Sequence, residues 1–276
     1  MNKPRFQIQW LLHVPLVVWA LISVFPLLWM LSASFQSNQE IYAGVKLIPD
    51  HPQLENYVQA WQKAKFSTYF LNSLFYTVAI VGSLVVIGSM AGFAFARLQF
   101  PLKNFFYGMI LILMFIPIPG VFIPLYLLLV KLGLIDTALG YILPMIQGAL
   151  PVTIFILRSF IAGLPRELDE AARLDGATVV QLYTKIALPL STPALATVIV
   201  LNTLGVWNEY LLASVVFSDS AKMPLQAGLM TFQGTYFSQY SLMMAGLSIA
   251  TVPIVILFLF TQRAMIRGVM QGALKG

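Results

Sequence analysis

Cysteine is absent from this 276-residue chain, and histidine occurs only twice, at His13 and His51. A disulfide framework and a thiolate metal site are thereby excluded, and two imidazoles are too few to build a histidine site. Charge is scarce as well: Asp, Glu, Lys and Arg make up 9% of the residues, against 59% hydrophobic. A soluble domain carries about 25% charged residues, so this chain is expected to lie in a bilayer. It also lacks the GxxxxGK loop, followed by Ser or Thr, that cradles nucleotide phosphates, and it lacks any nucleophile–base constellation. No catalytic residue is expected. The net charge of +6 does not point to nucleic acid, because the basic residues stand singly between apolar runs instead of forming a patch with interleaved aromatics.

What is present is a series of long apolar runs. A hydrocarbon core about 30 Å thick needs roughly 20 residues of helix. Six segments meet that length, at about 10–32, 68–95, 104–130, 140–161, 192–213 and 242–262. The first begins near Trp10 and is too long for the apolar region of a signal peptide, so it is expected to be a retained span. Helices are the expected solution, because lipid cannot hydrate unpaired backbone groups and the runs are too long for barrel strands. The expected architecture is all-α: a single polytopic membrane domain over 1–276, with six transmembrane helices.

Orientation follows from where Lys and Arg collect. With both termini in the cytoplasm, the inner segments hold Lys3, Arg5, Arg97, Lys103, Arg158, Arg166, Arg173, Lys185, Arg263, Arg267 and Lys275. The outer segments then hold only Lys46, Lys63, Lys65, Lys131 and Lys222. This places the polar loop at 164–190, between the fourth and fifth spans, in the cytoplasm.

That loop carries Glu167, Asp169, Glu170 and Asp175. Pro165 suits a first helical position, and the first acidic residues complement the positive end of a helix dipole. Leu168, Ala171 and Ala172 would share a face, and Asp175 with Gly176 supplies a turn, since Gly accepts the left-handed backbone at a helix end. Thr178 and Gln181 have capping-box spacing, and Val179, Leu182, Tyr183 and Ile186 form an apolar stripe ahead of Pro189. The expectation is a cytoplasmic helix-turn-helix that ends before Pro189 and presents two alanines, small enough to let a partner approach closely.

The segment PRELDEAARLDGATVVQLYTKIALPLSTP, Pro165 to Pro193, resembles the EAA loop of ABC importer permeases: EAA, a Gly after three further residues within DGA, then an apolar residue before LP. The resemblance extends along most of the chain and is similar to the maltose-permease type of the carbohydrate-uptake branch. It includes ENYVQAW from Glu55, NSLFYTV from Asn72, GFAFARLQFP from Gly92, NTLGVWNEYLLA from Asn202 and QRAMIRGVMQGALKG from Gln262. The resemblance implies that the loop is a coupling helix seated in a cleft of a separate ATPase. Glu170 and Asp175 would make polar or capping contacts, Ala171 and Ala172 would pack closely, Gly176 would form the turn, and Ala177 would complete the ATPase-coupling segment.

It further implies a bacterial or archaeal inner-membrane subunit working with an unlike second permease, a dimer of cytoplasmic ATP-binding subunits and an extracytoplasmic sugar-binding protein. ATP and Mg would be bound by the partner ATPase and no cofactor by this chain. The solute would be a sugar, with an oligosaccharide as the expected class and glycerol phosphate or another small solute as the alternative. An ion-coupled carrier is the rival mechanism, and it would require intramembrane carboxylates or an ion site at broken helices.

Glu209 is the one acidic residue within an expected span. A carboxylate at the centre of a membrane helix costs about 2.5–3.5 kcal/mol. With Asn202, Trp207 and Asn208 it is a candidate for the substrate pathway, weighed against a structural role in ending the helix at the outer interface. Pro117, Pro119, Gly120 and Pro124 must disturb the third span, as a pathway-lining break or as a packing kink.

Overall fold

The computed structural model describes residues 5–63, 65–115, 121–230, 232–233 and 238–273, with the side chains of 5–12, 63 and 263–273 left aside. Every helix, strand or longer regular element among these residues is helical. In order they are α1 (Arg5–Ala33), α2 (Asn38–Ala43), α3 (Glu55–Lys63), α4 (Phe66–Arg97), α5 (Lys103–Leu113), α6 (Phe122–Lys131) and α7 (Ala138–Ala162). There follow α8 (Glu167–Leu174), α9 (Val179–Gln181), a π turn (Leu182–Ala187), α10 (Leu188–Leu190), α11 (Thr192–Trp207), α12 (Leu211–Val216), a short 3-10 turn (Ser220–Lys222), α13 (Leu225–Met230) and α14 (Tyr240–Ala273).

Four of these, among the described residues, are long and apolar enough to cross a bilayer: His13–Ala33 of α1, α4, α7, and Tyr240–Gln262 of α14. A fifth arises if Val179–Leu190 and Thr192–Trp207, bent by 72° from one another, are taken together. In place of one third span over 104–130 there are two shorter apolar helices, α5 and α6. Pro117, Pro119 and Gly120 lie outside the described residues, whereas Pro124 sits in the first turn of α6, where its missing N–H breaks no helical bond.

The fifth expected span, 192–213, is likewise interrupted: α11 stops at Trp207 and α12 begins at Leu211.

The chain divides into two compact units, Met1–Ser67 with Gly228–Val252, and Thr68–Ala227 with Pro253–Gly276. In the first, a polar corner follows α1. Asn56 donates to the carbonyls of Ser34 (3.0 Å) and Gln36 (2.9 Å), and the Ser34 and Tyr57 hydroxyls meet at 2.7 Å. Buried backbone carbonyls are thus satisfied where the helix ends.

The second unit is organised around α7. Its N-terminus is capped by Thr137, whose hydroxyl accepts from the Gly140 amide at 3.1 Å. Only glycine fits at 140, because a Cβ there would run into the Leu134 carbonyl oxygen. Further along, a Cβ on Gly92 of α4 would lie 3.0 Å from the Leu157 Cβ and 3.1 Å from the Arg158 amide nitrogen, so α4 and α7 pack nearly backbone to backbone. On another side, Asn202 of α11 donates to the Thr153 hydroxyl at 3.1 Å, and Leu157, Ala194 and Val198 pack beside it.

At the end of α4 where that helix begins, Tyr76, Tyr141 and Phe217 form a buried aromatic cluster with ring centroids 4.9 to 5.7 Å apart. Loop carbonyls close over it. Tyr76 donates to Lys222 O at 2.8 Å, and Asn72 donates to Ala221 O and Met223 O at 2.8 and 3.0 Å. Asp136, with φ 58°, accepts from the Asp219 and Ser218 amides at 2.9 and 2.6 Å. Those two bonds hold its carboxyl below the ordinary carboxylate value.

Candidate functional site: the polar loop at 164–190

Arg166 already has helical dihedrals, so Pro165 stands immediately ahead of the first helical residue, and α8 follows with Glu167, Asp169 and Glu170 in its first turn. Its C-terminus is a complete Schellman motif. The Ala177 amide donates to Ala172 O at 2.9 Å and the Gly176 amide to Arg173 O at 3.0 Å, with Gly176 at φ +81°. The motif's usual hydrophobic contact involves Ala172 and Ala177, both packed against the cluster of Phe93, Ile161, Leu182 and Ala187. The alanine at the end of EAA and the alanine of DGA are therefore the two halves of one cap.

This corrects the expectation of two alanines offered to a partner. Ala172 faces the chain's own core, and Ala171 is the exposed one. Beside Ala171 on the outer surface are Glu170, Asp175 and Gly176, all exposed, and a Cβ added at Gly176 would meet nothing within 4 Å. The tip is apolar: Leu174 is 90% exposed and Val180 68%. Leu174 was not singled out from the sequence, though a Leu between Arg and Asp beside a glycine turn is the available signal.

The capping box forms as expected, with Gln181 accepting from the Thr178 amide at 2.8 Å and Thr178 Oγ1 accepting from the Gln181 amide at 3.3 Å. The helix does not end before Pro189, however. It runs through the π turn into Leu188–Leu190, the Leu188 amide bonding to Tyr183 O. The wider turn accommodates Pro189, which has no amide to donate. Ser191 then closes the bend into α11, its hydroxyl donating to Ala187 O at 2.6 Å.

Two contacts fasten the loop to the bundle. Arg97, the last residue of α4, places its Nε 3.0 Å from Asp169 Oδ2 and donates through Nη2 to Leu164 O at 2.8 Å. The Nε–H is not aligned as a hydrogen bond, so the first contact is an ion pair. Both side chains are largely shielded from water, 6% and 15% exposed. The second contact joins Ser89 and Tyr183 through their hydroxyls at 2.8 Å, with Phe93 packed on the Tyr183 ring.

The residues considered for a substrate pathway are placed separately. Trp207 is buried, edge-on to Phe70 at 5.7 Å. Asn202 is engaged with Thr153 and with Val198 O. Glu209 accepts from the Leu212 and Ala213 amides at 2.6 and 3.1 Å and so caps α12, satisfying two amides of its first turn. Asn208 is exposed and linked to Gln226 at 3.2 Å.

Residues 84–271, which contain the whole loop, match the family described as binding-protein-dependent transport system inner membrane component. The chain belongs to that family. It is 38% identical over 98% of its length, and 97% of the relative's, to the arabinooligosaccharides transport system permease protein AraQ of Halalkalibacterium halodurans. It is 33% identical, over 95% of this chain and 88% of the relative, to the diacetylchitobiose uptake system permease protein NgcG of Streptomyces coelicolor. A chain from the crystal structure of a bacterial ABC transporter that imports the acidic polysaccharide alginate has the same fold, with a TM-score of 0.78 at 23% identity, covering 95% of this chain and 98% of that one.

In this family member the Schellman cap and the Arg97–Asp169 pair make the loop a preformed element, with the Leu174 tip free. Asn202, Trp207, Asn208 and Glu209 each have a different partner within the chain.

Proposed function

We propose that this chain is one membrane half of an ATP-driven sugar importer, and that 170–177 is the contact through which a separate ATPase drives it. The observation that carries the reading is the preformed loop: a Schellman-terminated helix, tied by Arg97 to the end of α4, with Leu174 standing free at its tip. A fully exposed leucine on a helix held rigid from behind costs little ordering entropy on docking and has apolar surface to bury. Glu170 and Asp175 supply the polar edge. Ala171 lets the partner's backbone come close.

The positive-inside distribution supports a cytoplasmic side for this loop and for both termini. ATP binding by a dimer of ATPase subunits would move the docked helix, and the Arg97 tie would pass the displacement into α4. Because the family is binding-protein-dependent, an extracytoplasmic protein would deliver the solute, and an unlike second permease would complete the pathway. The names of AraQ and NgcG favour oligosaccharides as the solute class. In that pathway Asn208 is the exposed member of the candidate set, its amide already bonded to Leu204 O and Gln226, whereas Glu209 shapes the helix break.

The test is Leu174→Asp in the assembled transporter. Losing an apolar anchor at an interface core weakens docking by about 2 kcal/mol or more, roughly 30-fold. The ATPase should be lost on purification while the membrane subunit inserts normally, since Leu174 touches nothing within the chain that folding needs. Full recovery of the ATPase together with normal uptake would overturn the assignment of the tip.

A further inference from the structure

On the same side of the bundle as the polar loop, three cations gather without a counter-ion. Lys103 begins α5, Arg158 lies near the end of α7, and Arg166 begins the loop. Burial first, and then the nearby charges of Arg158 and Arg166, hold the Lys103 ammonium below the ordinary lysine value. Among the described residues none of the three is in an ion pair, and the neighbouring carboxylate of Asp169 is taken by Arg97.

The contacts these cations do make leave binding capacity unused. Lys103 spends one N–H on Leu98 O at 2.7 Å. The Arg158 guanidinium lies over the Tyr107 ring at 4.7 Å, yet its Nε is buried and has no hydrogen-bond partner. That N–H is itself buried, so an anion would meet Arg158 through the guanidinium's uncompensated charge and not by bonding to Nε. The α5 N-terminus also has no side-chain cap, which adds the positive end of a helix dipole. Apolar side chains continue from this point along α5: Phe105, Phe106 and Met109 are 59%, 47% and 52% exposed.

Charge together with that apolar run identifies the occupant. A soluble anion would use the cations alone, whereas an anionic phospholipid would use both, its phosphate among the cations and its acyl chains along α5. We infer that Lys103, Arg158 and Arg166 form a headgroup site for an anionic phospholipid of the leaflet on the loop's side. The leaflet's identity rests on the orientation proposed above, but the site itself does not. Its position between α5, α7 and the start of the loop would let the bound lipid steady the helix ends from which the loop departs.

The experiment measures lipid retention by native mass spectrometry of the full transporter taken from nanodiscs. The nanodiscs are phosphatidylcholine alone or phosphatidylcholine with phosphatidylglycerol, and the proteins are wild type, Arg166→Gln, and Lys103→Gln with Arg166→Gln. Each basic residue near a membrane surface contributes about a fivefold preference for anionic lipid. Wild type should therefore retain phosphatidylglycerol selectively, with roughly fivefold less retention in the single variant and about 25-fold less in the double one. Millimolar inorganic phosphate should leave the lipid in place.

Equal retention in wild type and the double variant would overturn the site, and so would retention without preference for phosphatidylglycerol. Displacement by inorganic phosphate would overturn the lipid as its occupant. Retention of the ATPase by the same samples tests the docking loop separately, so failure of one reading is distinguishable from failure of the other.

Discussion

Replacing Gly176 with Pro is expected to abolish uptake and release the ATPase while leaving the membrane helices folded. Gly176 sits at φ +81°, and its amide donates to Arg173 O at 3.0 Å in the Schellman motif. Proline fixes φ near −65° and has no amide proton, so both features are lost, at a cost of about 3 kcal/mol or more. A penalty of that size lowers the population of the docking-competent loop by about two orders of magnitude. The space around position 176 is open, so the cost arises in the loop backbone and does not spread into the bundle. Gly176→Ala makes the comparison graded, because it keeps the amide and suffers only the left-handed strain, about 1–2 kcal/mol. Uptake and ATPase co-purification should fall together, in the order Gly, Ala, Pro.

Arg97→Ala should act differently. It removes both the ion pair to Asp169 and the bond to Leu164 O, and it leaves the Asp169 carboxylate with little water and no partner. Breaking a buried pair from one side costs about 3–5 kcal/mol, and the 15% exposure of Asp169 puts this one at or below the low end, about 3 kcal/mol. The Schellman cap stays intact, so the tip still docks. What is lost is the rigid link between the docked helix and α4. ATP hydrolysis should persist while uptake falls at least tenfold, and the double variant Arg97→Ala with Asp169→Ala should recover part of the stability, because no unpaired charge remains. Thermal unfolding and the ratio of solute imported to ATP hydrolysed measure the two effects.

The loop was legible in the sequence because its devices are local. A glycine after a helix, and Thr with Gln three residues on, each act within a turn or two and form where the spacing places them, whereas Pro165 falls just ahead of the helix instead of at its first position. The π turn was not legible. Pro189 reads as a stop signal, and only the widening at Leu182–Ala187 lets the helix pass it. Nor does local spacing reveal which alanine faces the bundle, since Ala171 and Ala172 are equivalent until Phe93 and Leu182 pack against one of them.

The Arg97–Asp169 pair joins residues far apart in the chain, and no periodicity connects them. Among the apolar runs, the long uninterrupted ones became helices near their expected bounds, as α4 and α7 show. The run over 192–213 is mostly apolar in its first part but breaks at Asn208–Tyr210, where the Glu209 carboxyl caps the next helix. Composition cannot distinguish a carboxylate that meets a solute from one that meets two backbone amides.

The most direct measurement uses the absence of cysteine from the natural chain. Leu174→Cys introduces a single thiol at a position 90% exposed, and a short photo-activated cross-linker attached there reports what lies against the loop tip in the working transporter. The expected result is one adduct with the ATPase subunit whose yield changes between the nucleotide-free and ATP-bound states. An adduct with lipid alone, or equal labelling of the tip whether or not the ATPase is present, would contradict the claim that 170–177 is where the transporter receives its energy.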